Sequence, residues 1–190
     1  MRSRTTAAAV AGLLALTTAL TACSGEDDEP TGPPPTLPTR APALWNPCDG
    51  LDPAAVSTAF GATFDTRTGT AEEPLCSFTP QEEGGPALDV NYQLFAGSLE
   101  DLVETFGVLA EGATTEVTTP EVPDADDARL IVDVTGDDTL AVTAFVQTGD
   151  LVQVVNALDP SPFDRAEVLR GVRTVVAGLA THAAGSDLTG

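Results

Sequence analysis

The residues of this chain that could carry covalent chemistry are its three cysteines, Cys23, Cys48 and Cys76. Cys23 directly follows the small residues Thr21 and Ala22, at the end of a stretch rich in Ala and Leu. A basic start, an apolar stretch and small residues before a cut site are typical of a secretory signal. A cysteine at the cut is typical of a thiol that takes lipid, so we predict lipidation of Cys23.

This pattern predicts how the protein is held. Residues 1–22 form a lipoprotein signal peptide, and lipid anchors the mature chain to the outer, extracytoplasmic face of the cell membrane. A transmembrane helix is one alternative, but the apolar core of residues 7–20 is short. A soluble secretory signal with a chance cysteine is the other. Because one acyl chain binds a membrane only marginally, stable anchoring needs at least two.

Composition divides the rest of the chain. Residues 23–43 are acidic and proline-rich, which predicts an extended tether of about 3.1 Å per residue. Residues 44–183 have the periodic apolar pattern of one globular domain, and residues 184–190 are expected to form a flexible tail. The chain has 29 acidic residues, no lysine and a net charge of −21. This charge excludes nucleic acid and anionic lipid headgroups as partners, so membrane attachment depends on the lipid.

The other two cysteines, Cys48 and Cys76, lie in the predicted domain. Disulfides persist in an exported, oxidising setting, which favours a bridge between these two residues. Two free buried thiols and a shared metal ion are the alternatives. Zinc would need more ligands, and the chain has a single histidine.

Local signals predict an α+β fold. Capping residues and apolar stripes indicate three helices, at 53–60, 99–109 and 161–182. Alternating apolar residues between turn signals indicate strands at 75–78, 88–94, 129–135, 139–147 and 151–157. This order predicts an antiparallel β-sheet meander flanked by about three helices in a single domain.

Several of these features together resemble a family of actinobacterial lipoproteins that is defined as a domain of unknown function. They are the signal with its cysteine, the Pro/Thr-rich tether, the pair Pro47-Cys48 before a first helix that ends in Gly61, and a strand with Cys76 and Phe78. The family more often has Trp where Phe78 stands. The resemblance covers most of residues 44–180. It implies that the two domain cysteines are bridged and that the protein lies in the cell envelope, and it brings no catalytic residues.

The sequence has no recognisable catalytic motif: neither Gly-x-Ser-x-Gly, nor His-Glu-x-x-His, nor a phosphate-binding loop ending in Lys. Asp124, Asp126 and Asp127 begin like a calcium loop, but the required Gly and closing Glu are missing. We therefore expect no enzyme, no cofactor and no metal. A hydrolase that uses acidic residues is the least favoured alternative.

Binding is the remaining hypothesis. We expect a monomeric domain that binds a small molecule with an apolar face, or another envelope protein. The predicted ligand-binding residues are Tyr92, Val90 and Phe106, in a cleft between the helix at 99–109 and the sheet face that carries the first two. The alternative is a structural or accessory envelope protein without a ligand.

The anchor gives the first testable prediction. The native protein should carry the mass of its acyl chains on Cys23, and Cys23→Ala should leave it uncleaved or mislocalised, because the acceptor thiol is lost. Intact mass spectrometry of protein extracted from membranes measures this directly. A mature protein without acyl mass would contradict the prediction.

Overall fold

The structure, a computed structural model, describes residues 46–70, 72–105, 115–135 and 138–186. All of them belong to one compact unit, Arg40–Gly190. The predicted signal peptide and tether, with Cys23, and the predicted ligand-binding residue Phe106 lie outside the described residues. Within the described ranges, no helix is both long enough and apolar enough to cross a membrane.

The described residues contain seven strands, which form one antiparallel sheet. They are β1 (Phe64–Thr68), β2 (Leu75–Pro80), β3 (Ala87–Leu94), β4 (Glu116–Thr118), β5 (Asp127–Thr135), β6 (Thr139–Thr148) and β7 (Leu151–Pro160). Their order across the sheet is β1-β2-β3-β7-β6-β5-β4. The sheet therefore consists of two runs of sequential neighbours, one on each side, and the pairing of β3 with β7 joins them.

The helical segments cover the two faces of this sheet unequally. They are a 3₁₀ turn (Pro47–Gly50), α1 (Pro53–Phe60), α2 (described over Leu99–Thr105) and α3 (Arg165–Ala184). The 3₁₀ turn, α1 and α3 share one apolar core with the sheet face that we call the helix face. α2 packs on the opposite face, which we call the distal face, against Ile131, Phe145 and Val152. Three helices on an antiparallel sheet confirm the predicted α+β class.

The helices begin and end at capping residues. Asp52 accepts a hydrogen bond from the Ala54 amide at the start of α1, and Gly61 ends that helix with a φ of 63°. Ser98 and Asp101 bond each other reciprocally at the start of α2, as a capping box does. The Ser98 hydroxyl (2.6 Å) and then the Ser98 amide donate to the Asp101 carboxylate, and these two hydrogen bonds lower its pKa.

The predicted start of the last helix is wrong. α3 begins at Arg165 rather than at residue 161, because Asp164 is its N-cap and accepts hydrogen bonds from the amides of Ala166 and Glu167. One aspartate thus satisfies two free amides of the first turn, which Ser161 does not do. α3 continues to Ala184, two residues beyond its predicted end, and Ser186 is buried.

α3 packs very closely against α1 and the 3₁₀ turn at two glycines, Gly171 and Gly50. A Cβ at Gly171 would lie 2.7 Å from the ring of Phe60, and a Cβ at Gly50 would lie 2.6 Å from His182. Neither position has room for a side chain, so glycine allows α1 and the 3₁₀ turn to pack directly against α3.

The Sγ atoms of Cys48 and Cys76 lie at disulfide distance, 2.03 Å apart. The bridge joins the 3₁₀ turn to β2, and Cys76 is fully buried in the helix-face core. Cys48 lies partly buried against the same core. The pair therefore fixes the beginning of the described chain to the sheet.

The bridge gives the second prediction. The double variant Cys48→Ala/Cys76→Ala should lose about 3–4 kcal/mol of unfolding free energy, because the bridge closes a loop between residues 28 positions apart. Denaturant titration at neutral pH measures the difference. Two free thiols in the unfolded, unreduced native protein would contradict the pairing, and an unchanged midpoint would contradict the energetic role.

Candidate functional site

The strand residues Val90 and Tyr92 and the described part of α2 lie on opposite faces of the sheet, so among the described residues they do not line one cleft. Val90 is 0% and Tyr92 is 3% exposed, and both side chains point into the helix-face core. α2 packs on the distal face. Because successive residues of a strand point to opposite faces, the sheet separates these two predicted walls. Val90 and Tyr92 are therefore core residues in the structure.

Tyr92 instead pairs with the single histidine. Its Oη lies 2.8 Å from Nδ1 of His182, and the two rings are stacked with centroids 6.1 Å apart. Burial raises the pKa of the Tyr92 phenol, and the charge of Asp49 raises it further. Burial lowers the pKa of the His182 imidazole, and Asp49 opposes that shift. Both pKa shifts favour the neutral side chains. The hydrogen bond between the two side chains connects the end of α3 to β3.

The distal face carries a groove of about 320 Å³ beside the core of α2. Its apolar residues are Ile131, Phe145 and Val154, which are 3–6% exposed and also belong to the cluster under α2. Its polar residues are Asn91, Gln93, Thr143 and Asn156, on β3, β6 and β7. The volume is at the small end of the range for ligand pockets.

The polar groups of the groove are partly bonded to one another. Gln93 Nε2 donates to Asn91 Oδ1 (3.1 Å), and Thr143 Oγ1 donates to Asn156 Oδ1 (3.0 Å). The Nδ2 donors of Asn91 and Asn156 have no acceptor among the described residues. The two amide groups are thus oriented, and each keeps a donor for a bound molecule.

The groove has no charged residue in its lining, although the chain is strongly acidic. Arg129, which is paired with Phe145 across β5 and β6, forms an ion pair with Asp127 and is neutralised there. An uncharged lining accepts neutral polar and apolar groups without the desolvation cost of a charge. The groove therefore suits a small uncharged molecule.

The acidic loop that resembled a calcium site uses its carboxylates within the protein. Asp124 accepts from Thr181 Oγ1, Asp126 accepts from the Gly149 amide, and Asp127 pairs with Arg129. The described part of the chain holds no group of three or more His, Cys, Asp or Glu side chains arranged to bind a metal.

Sequence reasoning missed the groove, although one signal pointed to it. The alternation of β3 assigned Asn91 and Gln93 to the face opposite Val90, and the same alternation in β7 separates Asn156 from Val155. Uncharged amides at consecutive outward positions are unusual in a chain with so many acids. Their proximity, however, depends on the pairing of β3 with β7, which local pattern does not give.

The Tyr92–His182 pair gives the third prediction. The folded-state pKa of His182 is lowered, so the unfolded chain takes up the proton first as pH falls below about 6.5, and the stability contributed by neutral His182 is then lost. His182→Gln should cost about 1 kcal/mol near pH 7.5. That difference from wild type should shrink towards about pH 5.

Denaturant titrations of both proteins across this pH range measure the effect. Asp159 has the opposite effect on stability. Its pKa is raised in the folded state, so the folded protein binds the proton before the unfolded chain does, and the folded state becomes more stable as pH falls towards about 4. Both wild type and His182→Gln contain Asp159, so its contribution cancels in the stability difference between them. A difference between the two proteins that stays constant with pH would contradict the prediction.

No model of a known protein family matches the sequence, and no curated protein matches it. What the protein binds is therefore inferred from the geometry of its own residues.

Proposed function

We propose that the protein is a lipid-anchored binding protein of the cell envelope, and that the groove on the distal face takes a small uncharged molecule with an apolar face. The observation that carries the proposal is an uncharged groove in a chain with a net charge of −21. The lipid signal at Cys23 and the pair Cys48–Cys76 support the extracytoplasmic location.

The binding mode follows from the apolar and the polar residues of the groove lining. An apolar ring would lie over Ile131, Phe145 and Val154, where burial of its surface contributes about 25 cal/mol per Å². Polar groups at the edge of the ligand would bond the free amide donors of Asn91 and Asn156. Anionic molecules would be repelled by the surrounding acids, which makes the site selective for neutral ones.

The fourth prediction compares two fluorescent probes with one skeleton. 1-Anilinonaphthalene is neutral, and its 8-sulfonate carries one negative charge. The neutral probe should bind residues 40–190 about tenfold or more tightly than the sulfonate, because only the sulfonate meets the repulsion of the acidic surface. Fluorescence titration at physiological salt measures both affinities, and saturation at one equivalent distinguishes a site from nonspecific adsorption.

Two variants test whether the neutral probe binds in the groove. Thr143→Trp should fill the groove and abolish binding of the neutral probe. Gln81→Ala is the control, because it removes an exposed amide that bonds Asp65 away from the groove. Loss of binding in both variants, or in neither, would contradict the site. Equal affinity for the two probes would contradict the selectivity and favour an accessory protein without a ligand.

A further inference from the structure

A second pocket, of about 250 Å³, lies on the helix face at the beginning of α3. The end of α1, the β2–β3 hairpin, the end of β7 and the first turn of α3 form its walls. Phe60, Pro80 and Val168 provide apolar surface, and Glu82, Asp159, Asp164 and Glu167 provide carboxylates. We call it the acidic pocket.

Asp159 distinguishes this pocket from an ordinary acidic surface. It is 7% exposed, its position in β7 puts it on the helix face, and it lines the pocket. Its carboxylate has no hydrogen-bond or ion-pair partner among the described residues. Ser77 Oγ is the only side-chain N or O atom of the described residues that is both fully enclosed and without a partner, so the Asp159 oxygens are open to the pocket. A carboxylate held at a pocket wall with little contact to bulk water and no internal partner is available to a bound cation.

The neighbours of Asp159 do not supply a partner. The first-turn amides of Ala166 and Glu167 already donate to Asp164. The arginines in the first two turns of α3 are paired elsewhere, Arg165 with Glu116 and Arg170 with Glu167. Burial raises the pKa of the Asp159 carboxyl, and the charges of Glu167 and Asp164 raise it further. Each of these effects would be relieved by a cation placed against Asp159.

The chemistry of the pocket selects the type of cation. The carboxylates of the described chain are not arranged in a group of three or more that could hold a metal. The apolar walls formed by Phe60 and Val168 suit methylene groups, which a metal ion lacks. We propose that the acidic pocket is a second binding site, separate from the groove, and that it takes a small alkylammonium ion with its nitrogen on Asp159.

The test uses 1,4-diaminobutane as the probe and 1,4-butanediol as its neutral analogue. Isothermal titration of the full chain at physiological salt should show one site for the diamine and none for the diol. Asp159→Asn should weaken the diamine about tenfold or more, because the buried charge that holds the ammonium is lost. The variant should fold at least as stably as wild type near pH 7, since a partly desolvated carboxylate that is repelled by Glu167 and Asp164 loses its charge.

Asp150→Asn is the matched control. Asp150 is an exposed turn residue, so its substitution removes the same charge from the chain without touching the pocket. It should change the diamine affinity by less than about twofold, as expected for a screened surface charge. Equal weakening in both variants would show nonspecific attraction and overturn the proposal. Binding of calcium in place of the diamine, or of the diol as tightly as the diamine, would also overturn it.

Discussion

The pairing of β3 with β7 is the contact on which the rest of this domain depends. It joins the two halves of the sheet over the whole length of β3, from Ala87 opposite Leu158 to Leu94 opposite Leu151. In this register Val90 meets Val155 in the helix-face core, and Asn91 meets Val154 in the groove. A shift by one residue would turn every side chain of β3 to the other face. The core and the groove are thus two consequences of one register.

The elements that could be predicted from sequence are those with strong local signals. The Asp52 cap and Gly61 predicted α1, and strict alternation predicted β3. β1 and β4 were missed because their side chains are mostly exposed and show no alternation of buried positions. The start of α3 was placed at a Ser-Pro pair, whereas the two hydrogen bonds that Asp164 accepts decide it. Local pattern thus identified the buried strands and missed the edges of the sheet.

The site could be predicted less well than the fold, because it depends on which face each helix covers. α1 and α3 cover the helix face, and the described part of α2 covers only a portion of the distal face. The stripe Leu99, Leu102 and Val103 shows that α2 packs on something, but the same stripe would fit either face. Val90 and Tyr92 are apolar and aromatic, which suits ligand contact, but the same properties bring them into the core. The uncharged Asn91 and Asn156 stay at the surface.

The bridge and the Tyr92–His182 pair hold the beginning of the described chain from two sides. Cys48 is bonded to β2, and Gly50 packs on His182, which is bonded to Tyr92 of β3. In the sequence, the predicted tether ends at residue 43, a few residues before this 3₁₀ turn. Any pull along the tether would therefore reach the covalent bridge before it reached α1, whose two turns are held to α3 by packing such as that of Phe60 on Gly171. A disulfide resists such a pull where a short helix alone would not, because isolated helices of this length are marginal in water. The bridge lies two residues after Asn46, the first described residue. This position suits a domain that is attached to a surface through its N-terminal side, as the proposed lipid anchor requires.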